Sequence, residues 1–138
     1  MKLLKPLILV GCLALLSTSC KKAIEKKVQD LVMDAITHGE WIVEQYFEGT
    51  NNLSSQFLDY RFKFNEDGTL TGTANSSSTD GTWKPNVTDY TITADFPTAV
   101  DPLKKLNGLW KIKDSDWDYV KAEMQTTDGT RLLILRKK

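Results

Sequence analysis

Tyr60, Phe62 and Phe64 alternate with Arg61 and Lys63, and Asn65-Glu66-Asp67-Gly68 follows directly. An aromatic ring at every second position puts one face on a core and the charges in water. That is the period of a half-buried strand. Asp67-Gly68 turns the chain, because glycine tolerates positive φ and the aspartate carboxylate accepts nearby backbone N–H groups. Thr69 to Ala74 resumes as a second strand, so Tyr60–Thr73 predicts a hairpin. Asp-Gly-Thr recurs at 67–69, 80–82 and 128–130, each time opening a strand-like run. Asp-Gly between alternating runs is a hairpin signal, and its repetition predicts an antiparallel meander in which each strand pairs with its sequence neighbour.

The alternation continues from Trp41 to the end. Strands are predicted at Trp41–Glu48, Phe57–Phe64, Thr69–Ala74, Gly81–Lys84, Asp89–Phe96, Leu109–Lys113, Tyr119–Gln125 and Arg131–Arg136. Tyr90, Ile92, Ala94 and Phe96 share one face of their strand, as do Val120, Ala122 and Met124 of theirs. Leu132-Leu133-Ile134-Leu135 is apolar on both faces, which predicts a central pairing or an outer face covered by a helix. Asp101-Pro102 opens, and Gly108 closes, a helical turn or two. The expected fold class is all-β: an eight-stranded antiparallel up-and-down barrel with an N-terminal α-helix. Closure removes both sheet edges. A sandwich is the alternative.

The first 19 residues stand apart. Lys2 and Lys5 precede an apolar run, Leu7 to Leu16, and Ser17-Thr18-Ser19 then lead to Cys20. This is the layout of a signal peptide, with an apolar core shorter than the roughly 20 residues a spanning helix needs. The position of Cys20 resembles the lipobox of bacterial lipoproteins, although Ser17 stands three before it and Leu16 one place earlier. That resemblance implies a lipidated Cys20 and a membrane anchor. Cleavage by an ordinary signal peptidase is the alternative, and would leave a free thiol. Cys12 leaves with the leader, so no intrachain disulfide or cysteine-based metal site is expected. Without Lys2 and Lys5 the 18 basic residues fall to 16 against 18 acidic ones, a net charge near −2. Such a balance gives no electrostatic reason to bind nucleic acid. Lys21 to Ile36 follows as an amphipathic helix, with Ile24, Val28, Leu31 and Ala35 on one stripe and Gly39 placed to end it. The expected organisation is a signal peptide over 1–19, a lipidated N-terminus and helix over 20–38, and a barrel over 39–138.

Gly39-Glu40-Trp41 opening the first strand, the longer loop before the second, the meander and an arginine in the last strand together resemble the lipocalin (calycin) superfamily. With Tyr60-x-Phe62-x-Phe64-Asn65-x-Asp67-Gly68-Thr69 and Gly81-Thr82-Trp83, the chain is similar to small lipocalin-like lipoproteins of Gram-negative envelopes. The resemblance implies that Arg136, or Arg131, packs across Trp41 and closes one end of the barrel. Lys21-Lys22 after the cysteine, in place of an acidic run, implies an outer-membrane protein facing the periplasm. The strands are shorter than in typical lipocalins, and the long N-terminal helix is extra.

Catalysis has little to draw on. His38 is the only histidine and sits at the expected helix end; no Gly-x-Ser-x-Gly or phosphate loop is present. Asp114-Ser115-Asp116-Trp117-Asp118 starts like a calcium loop, but Tyr119 and Gln125 stand where that loop needs glycine and a bidentate glutamate. No catalytic residue, metal or cofactor is therefore expected. The aromatic set is the remaining signal. An eight-stranded barrel is wide enough either to be filled by side chains or to hold one small ligand. If the rings line a gap, Trp41, Tyr60, Phe62, Trp83, Tyr90, Ile92 and Trp110 wall a site for a small hydrophobic ligand, with its mouth beside a mobile Gly49–Gln56 loop. If the rings touch one another, the barrel is filled, and a protein partner in the envelope is the expected alternative.

Overall fold

The computed structural model describes residue 23 and residues 26–138; the expected signal peptide and Cys20 lie outside the described residues. An α-helix, α1, covers 26–37. Val28 and Leu31 of its predicted stripe are exposed. A compact unit begins at Met33 and holds the last turn of α1 together with all the strands.

The strands of this unit are β1 (Trp41–Glu48), β2 (Asn51–Asn52), β3 (Tyr60–Phe64), β4 (Thr69–Ala74), β5 (Ser77–Asn86), β6 (Thr91–Asp95), β7 (Gly108–Asp116), β8 (Tyr119–Thr126) and β9 (Gly129–Lys137). The two-residue β2 folds back on β1. The other eight form the wall, each antiparallel to its neighbours, and β1 pairs with β9 from Trp41↔Lys137 to Glu48↔Arg131 to close the cylinder. The predicted barrel and strand order are thus the observed ones, and β1 and β4 have the predicted limits. Along most strands odd and even residues separate core from solvent, while a bulge between Val43 and Gln45 switches the parity of β1, so that Trp41, Val43 and Tyr46 are all buried. The upper end holds the β1–β3 connection, the β4–β5 turn, the β6–β7 loop and the β8–β9 turn. The lower end holds the last turn of α1 and the β3–β4, β5–β6 and β7–β8 turns.

The second Asp-Gly-Thr does not turn the chain. Gly68 and Gly129 adopt φ of 88° and 129° at turns, but Gly81 lies inside β5, paired with Leu70. A Cβ there would stand 2.3 Å from the Asp95 carbonyl oxygen and 2.8 Å from the Phe96 ring. Glycine at 81 serves close approach inside the barrel. The turn into β5 is made by Asn75 at φ 55°. The predicted strand from Phe57 also begins later, because Ser54–Phe57 forms a 3-10 turn that carries Phe57 inward to 1% exposure.

Trp41 is 1% exposed at the lower end. Its indole N–H donates to the Ile36 carbonyl at 2.8 Å. Lys137 Nζ donates to the Ala35 carbonyl at 2.8 Å, and Lys63 Nζ to the Thr37 carbonyl at 2.8 Å. Three successive carbonyls at the helix end, which lack intrahelical partners, are thus taken by side chains of β9, β1 and β3. The expected Trp41–Arg136 pair is corrected here. The cation over the Trp41 ring is Lys137, 5.0 Å from its centroid. Arg136 is one residue earlier, on the outer face, paired with Glu44 at 3.0 Å and lying 4.9 Å from the Tyr119 ring centroid. Arg131 sits near the other end, beside Glu48. A shift of one residue along a strand reverses the face.

Candidate functional site

Between the two ends lies an apolar cavity of about 50 Å³. Phe62 and Phe64 of β3, Leu70 of β4, and Ile92 and Ala94 of β6 form one side. Trp110 and Ile112 of β7, Val120 and Ala122 of β8, and Leu133 and Leu135 of β9 form the other. Phe96 and Leu106 cover it from above. These positions alternate along each strand, so the wall is a direct product of period-2 patterning. With no charged side chain on it, the wall can hold an apolar molecule by contact alone.

Its floor is aromatic. The Trp83 indole N–H donates to the Asn65 carbonyl at 2.9 Å, and its ring meets Phe64 edge-on, centroids 5.3 Å apart. Ile92, Ile112 and Leu135 point inward yet are only half-buried, so the cavity approaches the surface at the lower end. Tyr90 and Trp117 stand 65% and 57% exposed on turns of that end.

The upper end is closed by two elements. Phe57 packs on Tyr46, ring centroids 5.1 Å apart, and its turn is fixed to β1 by the Leu53 N–H on the Tyr46 carbonyl at 2.9 Å. The Tyr46 N–H donates in turn to Ser54 Oγ at 2.9 Å. The β6–β7 loop supplies a second 3-10 turn, Leu103–Leu106, whose two leucines are 3% and 6% exposed. Gly72 makes room for it: a Cβ there would stand 3.3 Å from both a Leu103 methyl and the Phe62 ring. The expected mouth beside Gly49–Gln56 is therefore filled, and the loop expected to be a lid is bonded to β1.

One polar cluster lies at this rim. Lys105 Nζ donates to Glu48 Oε1 at 3.2 Å, and Arg131 Nε stands 3.7 Å from the same oxygen. The Tyr46 hydroxyl reaches Glu48 Oε1 at 3.2 Å and the Lys105 carbonyl at 3.4 Å. Burial pushes the Tyr46 hydroxyl well above the ordinary phenol range; the Arg131 charge opposes this and the Glu48 charge adds to it. Burial also pushes the Glu48 carboxyl up, but its bond and attraction to Lys105, the Tyr46 hydroxyl and the Arg131 charge together outweigh burial. They hold it below the usual glutamate range. The cluster thus contains an ionised carboxylate and a neutral phenol at neutral pH.

Of the predicted wall residues, Phe62, Ile92 and Trp110 lie on the cavity. Trp41 is buried under the helix end and Trp83 lies beyond Phe64. Tyr60 stacks on Phe62, centroids 6.1 Å apart, and lines a polar outer groove with Arg61, Asp59 and Lys138. Tyr90 is a correction: β6 begins at Thr91, and φ of 54° at Tyr90 carries its side chain out of the alternation. The residues missed are mainly aliphatic. The signal for Val120 and Ala122 was available, since they alternate as regularly as the rings, whereas Leu133 and Leu135 lie in a run apolar on both faces that hides which side points inward. His38 is exposed. Among the described residues no cluster of three or more His, Cys, Asp or Glu side chains is placed to hold a metal ion.

No protein-family model matches the chain, and no curated protein matches it. Several solved structures share its architecture. A DUF4847 family protein from Bacteroides vulgatus superposes with a TM-score of 0.57 at 13% identity, over 78% of this chain and 97% of that one. An uncharacterised protein from Bacteroides eggerthii gives 0.52 at 13%, over 72% and 98%. Japanin from Rhipicephalus appendiculatus, bound to cholesterol, gives 0.53 at 9%, over 75% and 76%. At these identities the likeness concerns the fold, a lipocalin-like barrel.

Proposed function

We propose that this chain is an envelope lipoprotein whose barrel reversibly holds a small hydrophobic molecule and performs no covalent chemistry. The observation that carries the reading is the apolar cavity inside a closed barrel, walled by Phe62, Ile92, Trp110, Ala122 and their neighbours. Japanin, which shares the fold, is bound to cholesterol in its crystal structure, and this supports a ligand of apolar character. The size of the cavity is the constraint. Pockets for drug-sized molecules run roughly 300–1,000 Å³, and about 50 Å³ admits only a small apolar group.

Native mass spectrometry of the protein taken from its own membrane fraction should retain an apolar adduct. Ala122→Leu extends a side chain into the cavity and should lower occupancy about tenfold or more, as added methylenes do in apolar pockets. An adduct unaffected by Ala122→Leu, or no adduct at all, would sink this reading. A second reading has its own support, because Tyr46, Phe57, Tyr60, Phe62 and Phe96 form a chain of ring contacts. A filled barrel of this kind serves as a scaffold, and crosslinking in intact cells should then give a discrete adduct with another envelope protein.

The anchor is part of the proposal. Cys20 carries the lipid, the protein sits on the outer membrane, and it faces the periplasm. Cys20→Ala should move the chain from the membrane pellet to the soluble fraction of lysed cells. Retention of that variant in the pellet would exclude Cys20 as the anchor.

A further inference from the structure

Resting on the ligand-binding reading, we infer that the binding site is larger than the cavity: the loop over 97–106 is a plug that an apolar ligand displaces, latched shut by Glu48. The wall strands cannot supply more volume without breaking their ladders. The loop can, because its backbone–backbone hydrogen bonds are made within itself and its stems, and only the Lys105 and Leu106 carbonyls accept from barrel side chains. Ala99 N–H donates to the Phe96 carbonyl, Lys104 to Val100, Lys105 to Pro102 and Asn107 to Lys104. Its two ends are tied together by Asn107, whose Oδ1 accepts from the Phe96 N–H at 2.6 Å and whose Nδ2 donates to the Phe96 carbonyl at 3.2 Å. Such a loop, with joined stems and its own side chains packed inward, can move as a body.

Four attachments hold it to the barrel, one of them the Lys105 carbonyl, to which the Tyr46 hydroxyl and Arg131 Nη1 both donate at 3.4 Å. Leu103 and Leu106 fill the upper interior. The Trp110 indole N–H donates to the Leu106 carbonyl at 2.8 Å. Lys105 is joined to Glu48, around which Tyr46 from β1 and Arg131 from β9 also gather. Lifting the loop breaks these and no strand ladder. The Phe57 turn, the other upper closure, is bonded to the β1 backbone, so it stays. With Leu103 and Leu106 withdrawn, Phe96 stays in place as a cover and the cavity extends beside it, past Trp110, toward the rim. The site then takes an apolar body longer than the closed cavity, admitted from the upper end.

Charge on Glu48 holds the latch. The groups facing its carboxylate are Tyr46, Lys105 and Arg131, and the folded protein holds its pKa below the ordinary value. The latch is therefore complete above the usual glutamate range and is lost as pH falls through the lowered value. Acid and Glu48→Gln should act alike.

Two readouts on the full chain test this. Indole N–H exchange, followed by NMR, reports the plug at Trp110 and the lower end at Trp41 and Trp83. Glu48→Gln should speed Trp110 exchange about fivefold, the worth of an ion pair whose side chains are 20% and 30% exposed, and leave the other two unchanged. It should also tighten binding of Nile red, a neutral dye too large for the closed cavity, by about the same factor. Lys105→Gln cuts the latch from the loop side and serves if Glu48→Gln folds poorly. Unchanged Trp110 exchange in both variants, or equal acceleration at all three indoles, overturns the plug. Faster Trp110 exchange without Nile red uptake upholds the plug and counts against the ligand reading beneath it.

Discussion

Trp41→Ala is expected to lower the unfolding free energy by about 3–5 kcal/mol, the range for removing a fully buried large aromatic. The side chain is 1% exposed, and its loss leaves a void where α1 meets the barrel. It also strips the Ile36 carbonyl of its donor and removes the ring beneath Lys137. Trp41→Phe keeps most of the apolar contact and loses the N–H, so it should cost about 1 kcal/mol from the hydrogen bond plus a smaller packing loss. Urea unfolding followed by far-ultraviolet circular dichroism checks both. A loss below about 1 kcal/mol for the alanine variant would contradict the packing described for this end.

Gly81→Val is the second large effect, and its cause is the opposite one. No void is made; atoms are forced together. A Cβ at 81 meets the Asp95 carbonyl oxygen at 2.3 Å, and Gly81, in the middle of β5 and paired with Leu70, has little room to yield. The Phe96 ring at 2.8 Å must also shift, and that ring covers the cavity. Overpacking in a filled core costs about 1–3 kcal/mol, and a clash with ladder backbone belongs at the upper limit or beyond. Thermal unfolding should show the lowered midpoint. A variant as stable as the parent would mean that β5 and β6 are not held at this spacing.

These two sites divide what was legible from what was not. Gly39-Glu40-Trp41 pointed to Trp41 as a barrel-closing residue through its resemblance to the lipocalin motif, and the side chain is buried at the lower end. Its partner was misplaced because parity near a strand end depends on register across the barrel. Lys137 faces inward opposite Trp41, and Arg136 faces out toward Glu44. Asp80-Gly81-Thr82 has the same three residues as two true turns. What separates it is that Asp95, the last residue of the next strand, and Phe96 just beyond it lie against Gly81, a contact between residues far apart in sequence. Tyr90 failed for a related reason: alternation predicts the interior only while the backbone stays extended, and it departs at φ 54°.

The candidate site shows the same division. Wall residues such as Phe62, Ile92 and Trp110 could be named because inward-facing positions repeat every second residue. The loop that fills the upper interior could not. Leu103 and Leu106 sit in a short segment whose only visible sign was a helical turn, and nothing local says that it folds into the barrel.

The sequence by itself determined the antiparallel meander, because alternation sets each strand's two faces and neighbouring strands pair across short turns. Closure into a barrel, with a sandwich as the alternative, was favoured by the lipocalin resemblance. Only the tertiary structure decided how much of that barrel is empty. Cavity volume is the small remainder between the space the wall encloses and the side chains that enter it from both ends, among them Phe57, Leu103 and Leu106. Those side chains are placed by contacts between distant segments, which no local period encodes.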